Sequence, residues 1–204
     1  MADQRVLFFG DSHVAGVGDP SGLGWVGRVV AASHAARMPL TAYNLGVRGE
    51  TSVQVASRWR QETRARLSPG ADTRIVVSFG ANDTTIEDGA QRVEDDRSRD
   101  ALGEMLERAR AIGLPALVVG PAPVDDAEQN RRIQDLSVAF REICASRAAP
   151  FLGVAEPLLA SSVWSKQVAS GDGAHPGAAG YQALAELVLS GGWLDWLRSD
   201  AAAK

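Results

Sequence analysis

Short apolar runs recur along the chain and are separated by longer stretches with helical spacing. Residues 6–9 are all apolar, and residues 75–77 are an isoleucine and two valines. Runs of this length, bounded by glycine and polar residues, are typical of strands, and their continuous apolarity indicates a sheet buried on both faces. The pattern predicts five strands, at residues 5–9, 40–44, 74–79, 116–119 and 150–154.

Between the predicted strands, apolar residues recur at intervals of three and four, which is the spacing of one buried helix face. The clearest stripe contains Leu102, Met105, Leu106 and Ala109, and Gly113 ends it. Strands that alternate with helices predict βαβ units, whose right-handed crossovers place helices on both faces of one mostly parallel sheet. The expected fold class is therefore α/β with a five-stranded sheet, and the length of 204 residues predicts a single domain over 1–204.

Composition and charge exclude several classes of protein. A formal net charge of −4 shows no basic excess, so we expect no binding to nucleic acid. The single cysteine, Cys144, cannot form an internal disulfide, and no HExxH or paired-cysteine motif is present, so we expect neither a metal nor another cofactor. No stretch approaches 18 consecutive apolar residues, and no secretory signal pattern is visible, so we expect no membrane span and a cytoplasmic location.

Small polar clusters follow the predicted strands. In a parallel sheet the carboxyl ends of the strands meet at one edge, where such folds bind their ligands. Clusters that are far apart in sequence are therefore expected to lie close together in space. They are Gly10-Asp11-Ser12-His13 after the first strand, Asn44-Leu45-Gly46 after the second, residues 80–83 after the third, and residues 172–176 after the fifth.

Two of these clusters carry the residue types needed for nucleophilic catalysis. Asp172 and His175 can share one loop, in which the carboxylate accepts from one imidazole nitrogen and leaves the other free as a base. A serine hydroxyl is a weak nucleophile that needs such a base, and Ser12 is the best candidate. The chain order Ser, Asp, His is one of several that serve the same geometry. Taken alone, Ser12 would more often be a helix N-cap, and His175 would more often be a surface-loop histidine.

Acyl transfer also requires hydrogen-bond donors for the developing oxyanion. The backbone N–H of Ser12, the backbone N–H of Gly46 and the side-chain amide of Asn82 would supply three donors. Glycine permits close approach of the backbone, and an amide is a neutral donor that does not titrate.

These clusters resemble the four sequence blocks of the GDSL-type (SGNH) hydrolases. Gly10-Asp11-Ser12, Gly46, residues 80–83 and Asp172-xx-His175 occur in the order of that family and extend over nearly the whole chain. The resemblance implies a flavodoxin-like, three-layer α/β/α fold and hydrolysis of esters or thioesters without a cofactor. It also implies that Ser12 is the nucleophile, that His175 is the base oriented by Asp172, and that Gly46 and Asn82 are oxyanion donors.

The chain departs from that family directly after the nucleophile. Family members often carry an apolar residue and then Thr or Ser, whereas this chain has His13 and Val14, so a hydroxyl that would brace the turn is missing. The sequence leaves open whether His13 lines the pocket or faces solvent. It also leaves open whether Trp25 and Trp164 border an acyl pocket or simply pack.

The expected function is hydrolysis of a small or short-acyl carboxylic ester, with a small-molecule ester as the partner. The same machinery would serve an acyltransferase or a thioesterase. An alternative from another class is a non-enzymatic binding or signalling module on a flavodoxin-like sheet. A phospho-receiver domain would need a lysine at the end of the last strand, and neither of the two lysines directly follows a predicted strand.

A homo-oligomer also stays open, because the apolar cluster Trp193, Leu194, Trp196 and Leu197 either docks on the domain or forms a dimer contact.

Overall fold

A parallel sheet of five strands forms the centre of the computed structural model, which describes residues 3–199. Its strands are β1 (Gln4–Gly10), β2 (Thr41–Gly46), β3 (Asp72–Ser78), β6 (Ala116–Val119) and β7 (Phe151–Leu152). Two further short strands, β4 (Ile86–Glu87) and β5 (Ala90–Gln91), lie outside this sheet. The sheet has the order β2-β1-β3-β6-β7, and each neighbouring pair is parallel. The predicted α/β fold class with five strands is confirmed.

Two local features differ from the sequence prediction. The strand expected at 150–154 is only two residues long, because just Phe151 and Leu152 pair with β6 before Gly153 and the next helix. In addition, β4 and β5 form an antiparallel hairpin that was not predicted. Its turn residues, Asp88 and Gly89, both have positive φ, as a two-residue hairpin turn of type I′ requires.

Helices connect the strands and cover the sheet. They are α1 (Ser12–Ala15), α2 (Gly24–Ala35), α3 (Ser52–Arg64), α4 (Asp95–Ala111), α5 (Ala127–Ser146), α6 (Ala155–Leu159), α7 (Ser162–Ala169), α8 (Ala178–Val188) and α9 (Leu194–Arg198), with a π-helical turn at Leu189–Trp193. Within the described residues, every helix is too short or too polar to cross a membrane.

Alternation along β1 produces two separate apolar cores, one on each face of the sheet. Val6 and Phe8 point to the core built with α2 and α8, and Phe8 packs against Trp25 with ring centroids 5.8 Å apart. Leu7 and Phe9 point to the opposite core built with α3, α4 and α5. Because successive side chains of a strand point to opposite faces, one apolar strand supplies both cores of a three-layer fold.

The apolar cluster near the C-terminus docks on the domain itself. Trp193 is fully buried beside Phe8, and its Nε1 donates to Oγ of Ser33 at 2.8 Å. Trp196 is 7% exposed and packs beneath the guanidinium of the buried Arg74. Of the two alternatives that the sequence left open for this cluster, the structure shows docking on the domain.

Candidate active site

Ser12 lies in the tight turn that leaves β1 and begins α1. Asp11 caps this helix, because its Oδ1 accepts the backbone N–H of His13 at 2.9 Å. Glycine is required at position 10, since a Cβ on Gly10 would lie 2.0 Å from the carbonyl oxygen of Ser78. The turn places Ser12 at the carboxyl end of β1, with 5% of its surface exposed.

Asp172 and His175 form a close pair in the loop between α7 and α8. Nδ1 of His175 lies 2.7 Å from Oδ2 of Asp172, and Oδ1 accepts the backbone N–H groups of His175 at 2.9 Å and of Ala174 at 3.1 Å. The hydrogen bond from His175, supported by these amides, holds the pKa of Asp172 well below its usual range.

The electrostatics of this pair favour a neutral imidazole. Burial lowers the pKa of His175 below its usual value, and the hydrogen bond to Asp172 only partly offsets that effect. The pair therefore consists of an ionised carboxylate and a neutral histidine near pH 7. Because Asp172 accepts from Nδ1, the lone pair of the imidazole lies on Nε2, which is the atom a general base uses.

The loop of residues 172–176 packs directly on the segment that follows Ser12. The rings of His13 and His175 have centroids 5.3 Å apart, and Nε2 of His13 lies 3.0 Å from the carbonyl oxygen of Ala174. Gly18 also contacts this loop, because a Cβ there would lie 3.0 Å from Cβ of His175. These contacts bring Ser12 and His175 to the same edge of the sheet. Among the described residues, no hydrogen bond joins the Ser12 hydroxyl to His175 in this state.

Asn82 lies in the turn after β3, and a hydrogen bond to the backbone fixes the orientation of its side-chain amide. Its Nδ2 donates to the carbonyl oxygen of Glu50 at 2.8 Å. A primary amide carries two hydrogens, so the second N–H is left for another acceptor. The neighbouring Asp83 is buried and supports the turn, since its carboxylate accepts from Ser52 N–H at 2.8 Å and from Oγ of Ser98 at 2.6 Å. Burial raises the pKa of Asp83 above its usual value.

Gly46 ends β2 and packs so closely on α1 that a Cβ would lie 2.3 Å from the backbone nitrogen of Ala15. Its N–H donates to Oδ1 of Asn44 at 3.1 Å, while Nδ2 of Asn44 donates to the carbonyl oxygen of Val14 at 2.7 Å. The donor that the sequence assigned to the oxyanion hole thus already has a partner. Gly49, further along the same loop, has a φ of 79°, and its N–H makes no hydrogen bond with any residue that the structure describes.

Sequence reasoning assigned no role to three residues beside the site. Asn44 joins β2 to α1, and Gly49 precedes the Glu50 carbonyl that orients Asn82. Arg48 lies at the rim with 67% of its side chain exposed, and its Nη2 is 3.6 Å from Oδ2 of Asp172. The glycine within Arg48-Gly49-Glu50 was a visible turn signal, but the partners of these residues lie too far away in sequence to be identified from it.

A cavity of about 380 Å³ borders the Asp172–His175 pair. Small and polar residues line it, including Gly18, Gln167 and Gly171. Trp25 and Trp164 do not line this cavity: Trp25 is fully buried in the core, and Trp164 is 1% exposed and stacks on the ring of His13. Within residues 3–199, no group of three or more His, Cys, Asp or Glu side chains is placed to hold a metal ion.

Solved structures with the same fold include two that match almost the whole chain. A lipase/acylhydrolase from Enterococcus faecalis is 22% identical, with 92% of this chain and 94% of that chain covered and a TM-score of 0.76. An acetylxylan esterase from Geobacillus stearothermophilus is 19% identical, with 98% of each chain covered and a TM-score of 0.76. At these identities the likeness establishes the fold. A comparison with curated protein sequences gives no match.

Fold and sequence together define a carboxylic ester hydrolase. The chain belongs to the GDSL-like Lipase/Acylhydrolase family, whose sequence profile matches residues 8–183. That span contains the serine turn, the β2–α3 loop, the Asn82 turn and the Asp172–His175 loop. Membership in this family sets aside the alternative of a non-enzymatic binding or signalling module.

Proposed function

We propose that the chain hydrolyses short-acyl carboxylic esters through an acyl-enzyme intermediate on Ser12. His175 acts as the general base and then the general acid, and Asp172 orients it. The observation that carries this proposal is the 2.7 Å contact between His175 Nδ1 and Asp172 Oδ2, in a loop that packs on the nucleophile turn. That contact fixes the tautomer that leaves Nε2 as the base. Three solved catalytic mutants of the acetylxylan esterase replace a serine, an aspartate and a histidine by alanine, which are the same residue types.

Catalysis begins when Ser12 Oγ attacks the ester carbonyl and its proton passes to Nε2 of His175. The C–O bond to the alcohol then breaks, and the alcohol leaves with the proton from Nε2. Water enters, gives its proton to Nε2 and attacks the acyl carbon. When the tetrahedral intermediate collapses, the proton returns to Ser12 Oγ and the carboxylic acid is released.

The oxyanion that forms in both attacks needs donors that are already in place. We assign this role to the N–H of Ser12 and to the free N–H of the Asn82 amide, which Glu50 holds in position. The third donor is the N–H of Gly46, which packs on the turn that carries Ser12, and it serves when its hydrogen bond to Asn44 opens on substrate binding.

The surroundings of His175 favour small substrates over long acyl chains. The cavity beside His175 is lined by glycines and by polar residues such as Gln167 rather than by an apolar channel. A long acyl chain requires an extended apolar surface to repay its transfer from water. An acetyl or similarly short acyl group on a polar alcohol or sugar is therefore our preferred substrate class. Transfer of the acyl group to an alcohol and cleavage of a thioester use the same steps.

The test is to compare wild type, Ser12→Ala and Ser57→Ala on p-nitrophenyl esters from acetyl to palmitoyl. Ser57 lies on the exposed surface of α3, so its variant controls for the loss of a serine hydroxyl as such. We expect Ser12→Ala to lose hydrolysis while Ser57→Ala and the thermal unfolding curves stay unchanged. Turnover should be highest on acetyl and butyryl esters. Unchanged turnover in Ser12→Ala would reject the mechanism, and a maximum at palmitoyl would reject the substrate class.

A further inference from the structure

His13 follows the nucleophile directly, and its side chain is only 7% exposed. We propose that His13 is a positioning residue, whose imidazole fixes the Asp172–His175 loop against the turn that carries Ser12. This inference rests on the proposed function, because it assigns His13 to the same catalytic centre. The family resemblance offers no precedent for it, since an apolar residue is common at this position.

The hydrogen bond of His13 defines its protonation at one nitrogen. Nε2 lies 3.0 Å from the carbonyl oxygen of Ala174, which only accepts, so Nε2 carries a hydrogen and donates it. Ala174 stands between the two members of the Asp172–His175 pair. A donor from the residue next to Ser12 therefore acts on the loop at the point where the general base is held.

No other hydrogen bond makes this link. Among the described residues, the His13–Ala174 contact is the only hydrogen bond between the segment 11–18 and the loop 172–176. The loop has a further anchor at Gly173, whose carbonyl oxygen accepts the N–H of Asp125 at 2.7 Å, but that anchor comes from the segment after β6. Ser12 and His175 lie 163 positions apart in the chain. Their alignment thus depends on His13, on van der Waals contact at Gly18, and on the Tyr181 hydroxyl of α8, which donates to the carbonyl oxygen of Val17 at 2.7 Å.

Packing holds the ring of His13 in this orientation. The ring stacks on Trp164 with centroids 6.0 Å apart and planes inclined by 24°, and it also contacts the ring of His175, whose plane is inclined by 41°. Trp164 is fixed in turn, because its Nε1 donates to the carbonyl oxygen of Pro123 at 3.0 Å. A ring packed against two others cannot turn its donor away from Ala174 without disturbing those contacts.

His13 also acts on His175 electrostatically. Burial is the largest cause of the lowered pKa of His175; Coulomb interaction with His13 and with Arg48 lowers this pKa further, whereas the hydrogen bond to Asp172 raises it. Asp11 faces the other nitrogen of His13, with Nδ1 and Oδ1 3.6 Å apart. Replacing His13 by a residue without an imidazole removes this Coulomb contribution, so the pKa of His175 should rise.

The experiment compares His13→Leu, which removes the donor, with His13→Gln, whose Nε2 amide restores a donor at a similar reach. His34→Leu is the matched control, because His34 Nε2 also lies 3.1 Å from a backbone carbonyl, that of Leu40, but far from the site in α2. Each variant is assayed for kcat and KM on p-nitrophenyl acetate, for thermal unfolding and for the pH profile of kcat/KM. Wild type and Ser12→Ala are run alongside.

We expect kcat of His13→Leu to fall by about 10- to 100-fold with KM nearly unchanged, since small misplacement of catalytic groups costs rates of this order. His13→Gln should recover most of kcat, and His34→Leu should match wild type. In both His13 variants the acid limb of the pH profile should move to higher pH. Wild-type kcat in His13→Leu, or equal losses in His13→Leu and His13→Gln, would overturn the proposal. If Ser12→Ala instead retains wild-type turnover, the proposed function itself fails.

Discussion

Replacing Asp172 by Asn probes the tautomer of His175, the proposed general base, with almost no change in shape. The retained Oδ1 still accepts the backbone N–H groups of Ala174 and His175. The new NH₂ group takes the place of Oδ2, which faces Nδ1 of His175 at 2.7 Å. Because NH₂ cannot accept, Nδ1 must present its lone pair and the hydrogen moves to Nε2. The imidazole then has no lone pair directed to Ser12.

The expected loss of rate in Asp172→Asn depends on how far the carboxylate of Asp172 is exposed to water. In a fully enclosed triad the wrong tautomer costs about 10⁴-fold in rate. Here 46% of the Asp172 side chain is exposed, so water can reach Nδ1 and partly restore the productive tautomer. We therefore expect kcat/KM of Asp172→Asn to fall by about 10³-fold, which corresponds to about 4 kcal/mol of transition-state stabilisation. Asp172→Ala should lose less activity, because water then replaces Oδ2 without opposition from an amide.

The assay is hydrolysis of p-nitrophenyl acetate by wild type, Asp172→Asn and Asp172→Ala, together with thermal unfolding. Asp172→Ala should be the less stable variant, since two backbone N–H groups lose their acceptor, at a cost of about 1 kcal/mol each. Asp172→Asn should be the less active one. If Asp172→Asn keeps more than a tenth of wild-type kcat/KM, or is more active than Asp172→Ala, the orienting role of the carboxylate is refuted.

Three further predictions concern the proposed oxyanion donor Asn82, the proposed base His175, and Asp19 in the loop between α1 and α2. Asn82→Ala should lower kcat by about 10²–10³-fold at similar KM, as measured by ester hydrolysis, since one preorganised donor is lost. Because burial lowers the pKa of His175 and the base must be neutral, kcat/KM should fall only as the pH drops through a value below about 6.5, which a pH–rate profile would show. Although burial opposes ionisation, hydrogen bonds from Arg28 and Ser21 lower the pKa of Asp19 to about 2. Because this folded pKa lies below the unfolded one, the carboxylate adds stability above about pH 4, and that stability is lost as the pH falls through about 2. Asp19→Asn should therefore lower the free energy of unfolding by about 2 kcal/mol at pH 7 and by almost nothing at pH 2, as measured by chemical denaturation.

Much of the fold is predictable because each central strand is a local feature of the sequence. The apolar residues of β1 and β3 are contiguous, and burial on both faces requires that pattern. The hairpin β4–β5 was missed because two-residue strands are too short to show alternation, although Asp88-Gly89 is a typical hairpin turn. Helix α7 was missed because only Trp164 and Val168 are buried on it, and one pair at helical spacing is not a stripe.

For the candidate site, the sequence identifies residue types but not the contacts between clusters. Asp172 and His175 are close in the chain, so their pairing could be inferred from spacing. Nδ2 of Asn44 donates to the carbonyl oxygen of Val14, 30 positions away, while its Oδ1 accepts the N–H of Gly46, and no local pattern indicates this arrangement. The contact between His13 and Ala174 spans 161 positions, so the side chain's direction could not be derived in advance.

The most direct test of the account is covalent labelling of the folded protein with a fluorophosphonate, followed by peptide mapping in a mass spectrometer. Only a serine activated by a neighbouring base reacts rapidly with this reagent. The account predicts one adduct, on Ser12, and a large loss of labelling rate in His175→Ala. An adduct on another serine, or equal labelling of Ser12 in wild type and His175→Ala, would contradict it.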